Sequence, residues 1–296
     1  MPPHGDTWTT FFRAAERDHR VGDLLLLAEE APSDKQKLEA HRTAGLALLA
    51  RGQFALARTQ FEAALKLDLS DSLSLQQLQH LSRPLSVPTR KAGQPRHVFL
   101  FTGHMIDKKG RSEPRFPWRK EPIAATAIAR AIQEQGADSE DLAICGGACG
   151  GDLLFAETCL EQGLRLELYL PLQEPAFLTA SVSFEKDLPE HVRDTWASRY
   201  LAVKNHRLTH TRITPDDLGP LPEGSDPYVR NNLRQLYTAF SYGPENVRVI
   251  ALWNGGTGDG PGGTADMIHQ AEARGAKTLV IDTNIAFETK SKLMGG

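Results

Sequence analysis

What the chain lacks removes several large classes of protein. It has three cysteines, Cys145, Cys149 and Cys159, an odd number confined to one short stretch. That argues against a disulfide framework and for a reducing cytoplasm. Their spacing matches no common zinc pattern and no histidine stands at a suitable offset, so no metal is expected. Basic residues are not in excess: 34 Lys and Arg against 37 Asp and Glu leave a formal net charge of -3. A duplex binder shows a strong basic balance, so nucleic acid is not the expected partner. No apolar run is long enough to span a bilayer, and no N-terminal apolar segment reads as a signal peptide. There is no G-x-x-x-x-G-K-[ST] phosphate loop. A G-x-G-x-x-G fingerprint fails at Ala148, where glycine would be needed, and Glu167, inside a strand, is no counterpart of the expected acid. A P-loop NTPase and a standard NAD dehydrogenase are therefore not supported.

What is present divides into two parts. A chain of 296 residues is long enough for about two domains. Residues 1–83 carry apolar positions at helical period. Residues 84–96 contain Pro84, Pro88, Gly93 and Pro95 and read as a linker, because proline interrupts both helix and sheet. Residues 97–296 alternate short apolar runs with helical patterns. Strands are expected at 98–101, 142–144, 164–170, 247–252 and 277–281, with a short one at 200–203. Helices are expected at 122–135, 153–162, 189–199, 228–242 and after Thr264. Repeated βα units imply an α/β fold: a Rossmann-like parallel sheet with helices on both faces, preceded by a small all-α domain.

In the N-terminal part, Gly45 sits on one helix and Ala57, Phe61 and Ala64 on the next, with Gly52 in the turn between. This resembles one tetratricopeptide repeat, in which a small residue lets two helices cross closely. Flanking helices at about 8–30 and 72–80 would extend it to a short bundle. Such a bundle either packs on its neighbour alone or docks a protein partner.

In parallel α/β sheets, ligands bind beyond the carboxyl ends of the strands. The residues there are Gly103 and His104, the loop Gly146 to Asp152, Pro171 onward, and the loop from Trp253 and Asn254 to Asp266. Glycine lets backbone N–H groups approach a phosphate closely, and a helix N-terminus adds a favourable dipole. Gly146, Gly147, Gly150, Gly151, Gly260, Gly262, Gly263 and Thr264 are the expected phosphate-facing positions. Arg115 and Arg119, in the basic segment after the first strand, could close over a phosphate through their planar forks. Trp253 could stack on a base or belong to the core. Asp152 could accept from a ribose hydroxyl or cap its helix, the commoner role. His104 either contacts the ligand or is held by its neighbours. Glu157 is a weaker second acid. Cys149 reads as a packing residue, and His206 and His210 as members of a loop. Residues 215–227 form either a flap over the pocket or an inert excursion.

Thr102-Gly103-His104, Arg115-Phe116-Pro117, the run Cys145 to Asp152, and Pro261-Gly262-Gly263-Thr264-Ala265-Asp266 together resemble the SLOG superfamily. That group includes DprA-like proteins and the lysine-decarboxylase-like phosphoribohydrolases. A tetratricopeptide segment joined to such a domain is similar to bacterial repeat-plus-sensor proteins of conflict systems. The resemblance implies a Rossmann-like fold that binds nucleotides or nucleotide-derived signals, either hydrolysing an N-glycosidic bond or sensing the ligand and controlling an effector. The hydrolases carry P-G-G-x-G-T-x-x-E. Here Gly263 runs straight into Thr264, Met267 stands where the catalytic Glu would be, and Asp266 is one residue short. Its other role is a first-turn acid complementing the helix dipole. The reading is a cytoplasmic sensor of an ADP-ribose-like or cyclic nucleotide, with no further cofactor, passing its state to a protein effector through the N-terminal helices or through self-association. The alternatives are an N-glycosidase using Asp266 and a helical scaffold with a vestigial pocket.

Overall fold

The computed structural model describes residues 4–83, 93–183, 189–256 and 262–288. Most of the linker 84–96 lies outside them, as does Gly260. In chain order the elements are α1 (His4–Arg17), α2 (Val21–Glu29), α3 (Asp34–Ala50), α4 (Phe54–Leu67), α5 (Ser72–Leu81), β1 (Val98–Gly103), α6 (Glu121–Glu134), β2 (Leu142–Cys145), α7 (Gly151–Glu161) and β3 (Arg165–Leu170). There follow α8 (Glu174–Phe177), α9 (Glu190–Lys204), β4 (Thr209–Ile213), α10 (Thr214–Leu218), α11 (Pro227–Phe240), β5 (Val247–Trp253), α12 (Thr264–Ala273), β6 (Lys277–Asp282) and α13 (Thr283–Glu288). They form two compact units. One comprises Met1–Gln94, Pro215–Ser225 and Leu233–Pro244; the other comprises Pro95–Thr214, Asp226–Asn232 and Glu245–Gly296. The helical unit thus takes two later pieces that the sequence pattern groups with the βα part.

In the helical unit, α1 and α2 are separate helices, broken at His19, whose φ is 53°. Trp8, Phe12 and Ala15 lie on one face of α1 and are buried with Leu24, Leu26 and Leu27 of α2. The Trp8 indole N–H donates to the Leu27 carbonyl at 3.0 Å, which satisfies the buried donor. Ser33 accepts from the Gln36 N–H and Asp71 from the Ser74 N–H, so α3 and α5 begin on side-chain caps. A Cβ on Gly45 would lie 2.7 Å from the Phe61 ring, so glycine is what allows α3 and α4 to cross here.

The same unit buries a four-charge network. Arg234 has no exposed side-chain surface. Its Nε and Nη2 donate to the two Asp23 oxygens at 2.7 and 2.9 Å, and Nη2 also reaches Asp217 at 2.6 Å. Arg20 pairs with Asp23 and lies 3.3 Å from Asp217. Two positive and two negative groups, each hydrogen-bonded, offset the cost of removing them from water.

The second unit is a six-stranded parallel sheet in the order β4-β3-β2-β1-β5-β6. Its central strands β1, β2 and β5 are near-continuous apolar runs, as strands covered on both faces require. Phe99, Phe101, Leu166, Leu168, Ile250 and Leu252 join a core with residues of α6, α7 and α9. The alternate residues Val98, Leu100, Val249 and Ala251 face the other side. There α12 packs on β1, β5 and β6, and its Met267, Ile268 and Ala271 are buried.

Two local expectations are corrected. Residues 200–203 are the last turns of α9, not a strand. Tyr200 and Val203 are both buried, and a spacing of three puts them on one helical face; a four-residue apolar run cannot distinguish the two periods. The expected loop at His206–His210 runs into β4, which begins at Thr209. Thr-His-Thr-Arg-Ile lacks the apolar run of a central strand because it is an edge. In addition, residues 214–218 are helical and Pro215–Ser225 pack within the helical unit.

Replacing Arg234 with Leu is expected to destabilise the helical unit by about 3 kcal/mol, because Asp23 and Asp217 lose the guanidinium that bonds them both and keep the single Arg20 contact to each. Arg234→Lys should recover less than half, since an ammonium cannot donate to three oxygens with the guanidinium geometry. Urea unfolding followed by circular dichroism measures both.

Candidate functional site

The strand order reverses direction between β1 and β5: the chain builds outward through β2, β3 and β4, then returns beside β1. That reversal is where an open α/β sheet offers a crevice. Gly103 and Leu252 are register partners at its mouth. A Cβ on Gly103 would lie 2.9 Å from Leu252 and from the Phe101 ring, so packing demands this glycine.

His104 follows at once and is buried. Its Nε2 lies 3.0 Å from Asn254 Oδ1 and 3.2 Å from the Asn254 amide nitrogen. Oδ1 also accepts the Gly256 N–H at 3.2 Å, which fixes it as the oxygen. A protonated Nε2 donates to Oδ1, whereas a bare Nε2 accepts the Asn254 N–H. The proton on His104 therefore selects which bond holds across the mouth of the crevice. The Trp253 indole donates to the Gly256 carbonyl at 3.0 Å and folds the start of this loop back on the strand end.

The loop from Gly146 to Gly151 approaches from β2. Gly150 has φ 97°, and a Cβ there would meet the Ile106 nitrogen at 2.8 Å. A Cβ on Gly151 would meet the Phe101 ring at 2.9 Å and the His104 carbonyl at 3.2 Å. These two glycines let the backbone after β1 lie on the start of α7. The loop's amides are largely committed to protein acceptors. Gly147 N–H faces the Cys145 sulfur, Ala148 N–H goes to Asp152, Cys149 N–H to the Ser181 carbonyl at 2.9 Å, and Gly151 N–H to the His104 carbonyl at 3.1 Å. The three thiols are buried and burial raises them all, Cys149 to about 12, so they stay protonated.

Asp152 is different. Its Oδ2 accepts the Ala148 N–H at 3.1 Å, and a Cβ on Gly146 would lie 2.9 Å from that oxygen. Burial raises its pKa to about 7, with this amide bond opposing the shift. The carboxyl is poised between its two protonation states at neutral pH.

The far side was not read from sequence. Ser181, on a short π-helical segment (Leu178–Ser183), places Oγ 3.3 Å from the Tyr228 hydroxyl at the start of α11. Val229 next to it lies against Gly262, where a Cβ would meet Val229 Cγ2 at 2.9 Å. The Asn232 amide donates to the Gly262 carbonyl at 2.7 Å. Asn231 donates to the Tyr169 carbonyl and accepts from Thr214. The available signal was the Asn231-Asn232 pair, since asparagines inside a helix are disfavoured unless their side chains have work to do. A chain of contacts thus runs from His104 through Gly150, Cys149, Ser181, Tyr228 and Val229 to Gly262, and Asn254 closes onto His104.

Gly262 has φ 81°, Gly263 precedes α12 in extended conformation, and Thr264 is the first helical residue. The Asp266 carboxylate accepts the Gly262 N–H and the Gln270 amide, each at 3.1 Å, which is a turn-closing role. The Arg115 and Phe116 amides both donate to Asp107, which shapes the basic segment; Arg119 is exposed with its guanidinium 5.1 Å over Trp118. Glu157 is paired with Arg199. No group of His, Cys, Asp and Glu able to hold a metal occurs among the described residues.

The fold and this crevice define a Rossmann-like doubly wound α/β protein. No protein-family model matches the chain. No curated protein matches it either. Among solved structures it is similar to DNA processing protein A (DprA) from Streptococcus pneumoniae, at 13% identity over 81% of this chain and 90% of that one, with a TM-score of 0.27.

Asp152 makes the stability of this unit depend on pH. Its folded pKa of about 7 exceeds the 3.8 of an unperturbed carboxyl, so the fold holds the proton more tightly than the unfolded chain does. Its contribution is neutral below about pH 4, becomes unfavourable as pH rises toward 7, and is constant above that. Asp152→Asn is therefore expected to lie close to the parent at pH 4 and to exceed it by up to about 4 kcal/mol at pH 8. Urea midpoints at the two pH values test this; a variant that is less stable at pH 8 would contradict it.

Proposed function

We propose that this chain is a sensor of the SLOG type. It binds a nucleotide-derived small molecule at the carboxyl edge of its sheet and signals to a protein effector through tetratricopeptide-like helices in bacterial defence. The observation that carries the reading is the convergence of the loops after β1, β2 and β5 at the β1–β5 reversal, with His104 bonded to Asn254 there. Parallel sheets take their ligands at such reversals.

The ligand phosphate sits on the first-turn amides of α12, at Gly263 and Thr264, where a helix N-terminus favours an anion. Arg115 or Arg119 closes over it. The Gly146 to Gly151 loop takes a smaller share of the phosphate, because four of its amides are used within the protein. It supplies the Asp152 carboxyl, which takes a ribose hydroxyl as acceptor or donor. Trp253 lines the base side. Helix α11 contributes residues to both units, so it is the covalent route by which an altered crevice is felt among the helices. A ligand shifts that balance only by its differential affinity for two states.

One observation favours a second reading. A carboxyl with a pKa of about 7 suits general acid–base chemistry at neutral pH. In an N-glycosidase on this fold, Asp152 rather than the turn-closing Asp266 would activate water or protonate the leaving base.

Thermal shift with ADP-ribose, cyclic ADP-ribose forms, cyclic oligonucleotides, nucleoside monophosphates and NAD, followed by chromatography of each mixture, separates these readings. A stabilising ligand recovered intact supports the sensor. A ligand recovered as base and ribose phosphate, with turnover lost in Asp152→Asn, replaces it with the hydrolase. His104→Ala is expected to weaken ligand binding about tenfold, the equivalent of one hydrogen bond, as read by calorimetry. No shift with any of the panel would count against both.

A further inference from the structure

The two edges of the sheet are built differently. β4 carries His210 and Arg212 in its middle, and charged or polar residues there discourage another strand from pairing. β6, Lys277-Thr278-Leu279-Val280-Ile281-Asp282, has no proline or charge within its central four residues. It pairs with β5 along six register positions without a bulge and, among the described residues, with no other strand. Val280 is 41% exposed, and Ile285 on the helix that follows is 67% exposed. An open edge of this kind presents a row of backbone donors and acceptors, with aliphatic side chains beside them.

We infer that β6 is the self-association edge of this protein, pairing antiparallel with β6 of a second copy about a two-fold axis through Val280. The strand is complementary to itself. Its charges stand only at the ends, Lys277 positive and Asp282 negative, so antiparallel pairing brings the positive end of each strand against the negative end of the other. Parallel pairing would align like ends. Residues that pair must face the same side of the joined sheet, so a two-fold axis must pass through a residue rather than between two. Centred on Val280, the register places the exposed valine beside its own copy. Leu279 then lies opposite Ile281 of the second copy and Thr278 opposite Asp282, while Lys277 lies opposite Thr283, one position along from that Asp282 and on the other face of the sheet. Such an interface is isologous and closes as a dimer, not a filament. The inference does not depend on what the crevice binds.

The test uses the full chain. Sedimentation velocity over a wide concentration range is expected to give a dimer for the parent. Val280→Lys and Val280→Glu should each be monomeric, with the dimer dissociation constant raised by about 100-fold, because like charges meet at the axis. Mixing the two variants in equal amounts should restore the dimer. Because Val280 is exposed, each variant should keep the circular dichroism spectrum of the parent, with a melting temperature lower only by what the lost association contributes. Should either variant fold poorly, Val280→Cys decides: on oxidation it should form a disulfide-linked dimer on a non-reducing gel, the native cysteines being buried. A parent that remains monomeric throughout overturns the inference. So does a Val280→Lys variant that stays dimeric, or a dimeric Val280→Cys variant that fails to cross-link.

Discussion

The close approach of the Gly150–Gly151 backbone to Phe101 and to the segment after β1 is the contact on which the crevice depends. A side chain at either position would clash with backbone or with a core ring. Because both are glycine, the His104 carbonyl accepts the Gly151 N–H, and Met105 bridges to Gly150. The chain leaving β1 is therefore pinned to the start of α7 instead of continuing outward. His104 is held where its ring can reach Asn254, just past the end of the neighbouring strand β5, and Cys149 where its amide meets Ser181. The contacts of His104 with Asn254 and of Cys149 with Ser181 follow from that one.

This alters how a glycine-rich loop is to be understood. From composition, Gly146 to Gly151 reads as a phosphate cradle, because exposed amides and absent side chains are what a cradle needs. The same two properties also suit a place where one backbone lies on another. Sequence does not separate these cases, since both demand glycine and neither leaves a mark on the flanking residues. The distinction comes from where the N–H groups point, which only the folded loop decides.

The parts of the fold legible in sequence were those set by local pattern. Central strands β1, β2, β3 and β5 are short apolar runs bounded by polar or glycine residues, and α6 opens near Pro122 and ends at Gly136. β4 was hidden because an edge strand has no need to be apolar. The end of α9 was misread because Tyr200 to Val203 fits either period. α10 and the second half of α11 belong to the helical unit, where Asp217 meets Arg20 and Arg234 and where Arg234 meets Asp23, 211 residues away in sequence. No local pattern announces such a pairing. Nor could the approach of Tyr228 and Asn232 to the glycine loops be anticipated, since it follows from where α11 runs. What could be read was that strand ends converge, because topology alone ensures that.

Three aspartates show why one carboxyl among several that accept backbone N–H groups becomes chemically distinct. Asp68 is exposed and accepts from both the hydroxyl and the amide of Ser70, and these bonds to its charged form lower its pKa. Asp107 is mostly buried, which raises its pKa, but the Arg115 and Phe116 amides and the nearby Arg111 oppose the shift. Asp152 has the burial without comparable compensation: the Ala148 amide is the contribution that lowers it, and the balance lies near 7. All three accept backbone N–H groups, Asp152 from the first turn of α7. The difference lies in how many donors meet each carboxylate for a given loss of water. Adding a donor beside Asp152 would return it to an ordinary structural acid. Leaving it under-satisfied is destabilising at neutral pH, and the carboxyl so kept sits against Gly146 in the loop that rims the sheet's reversal.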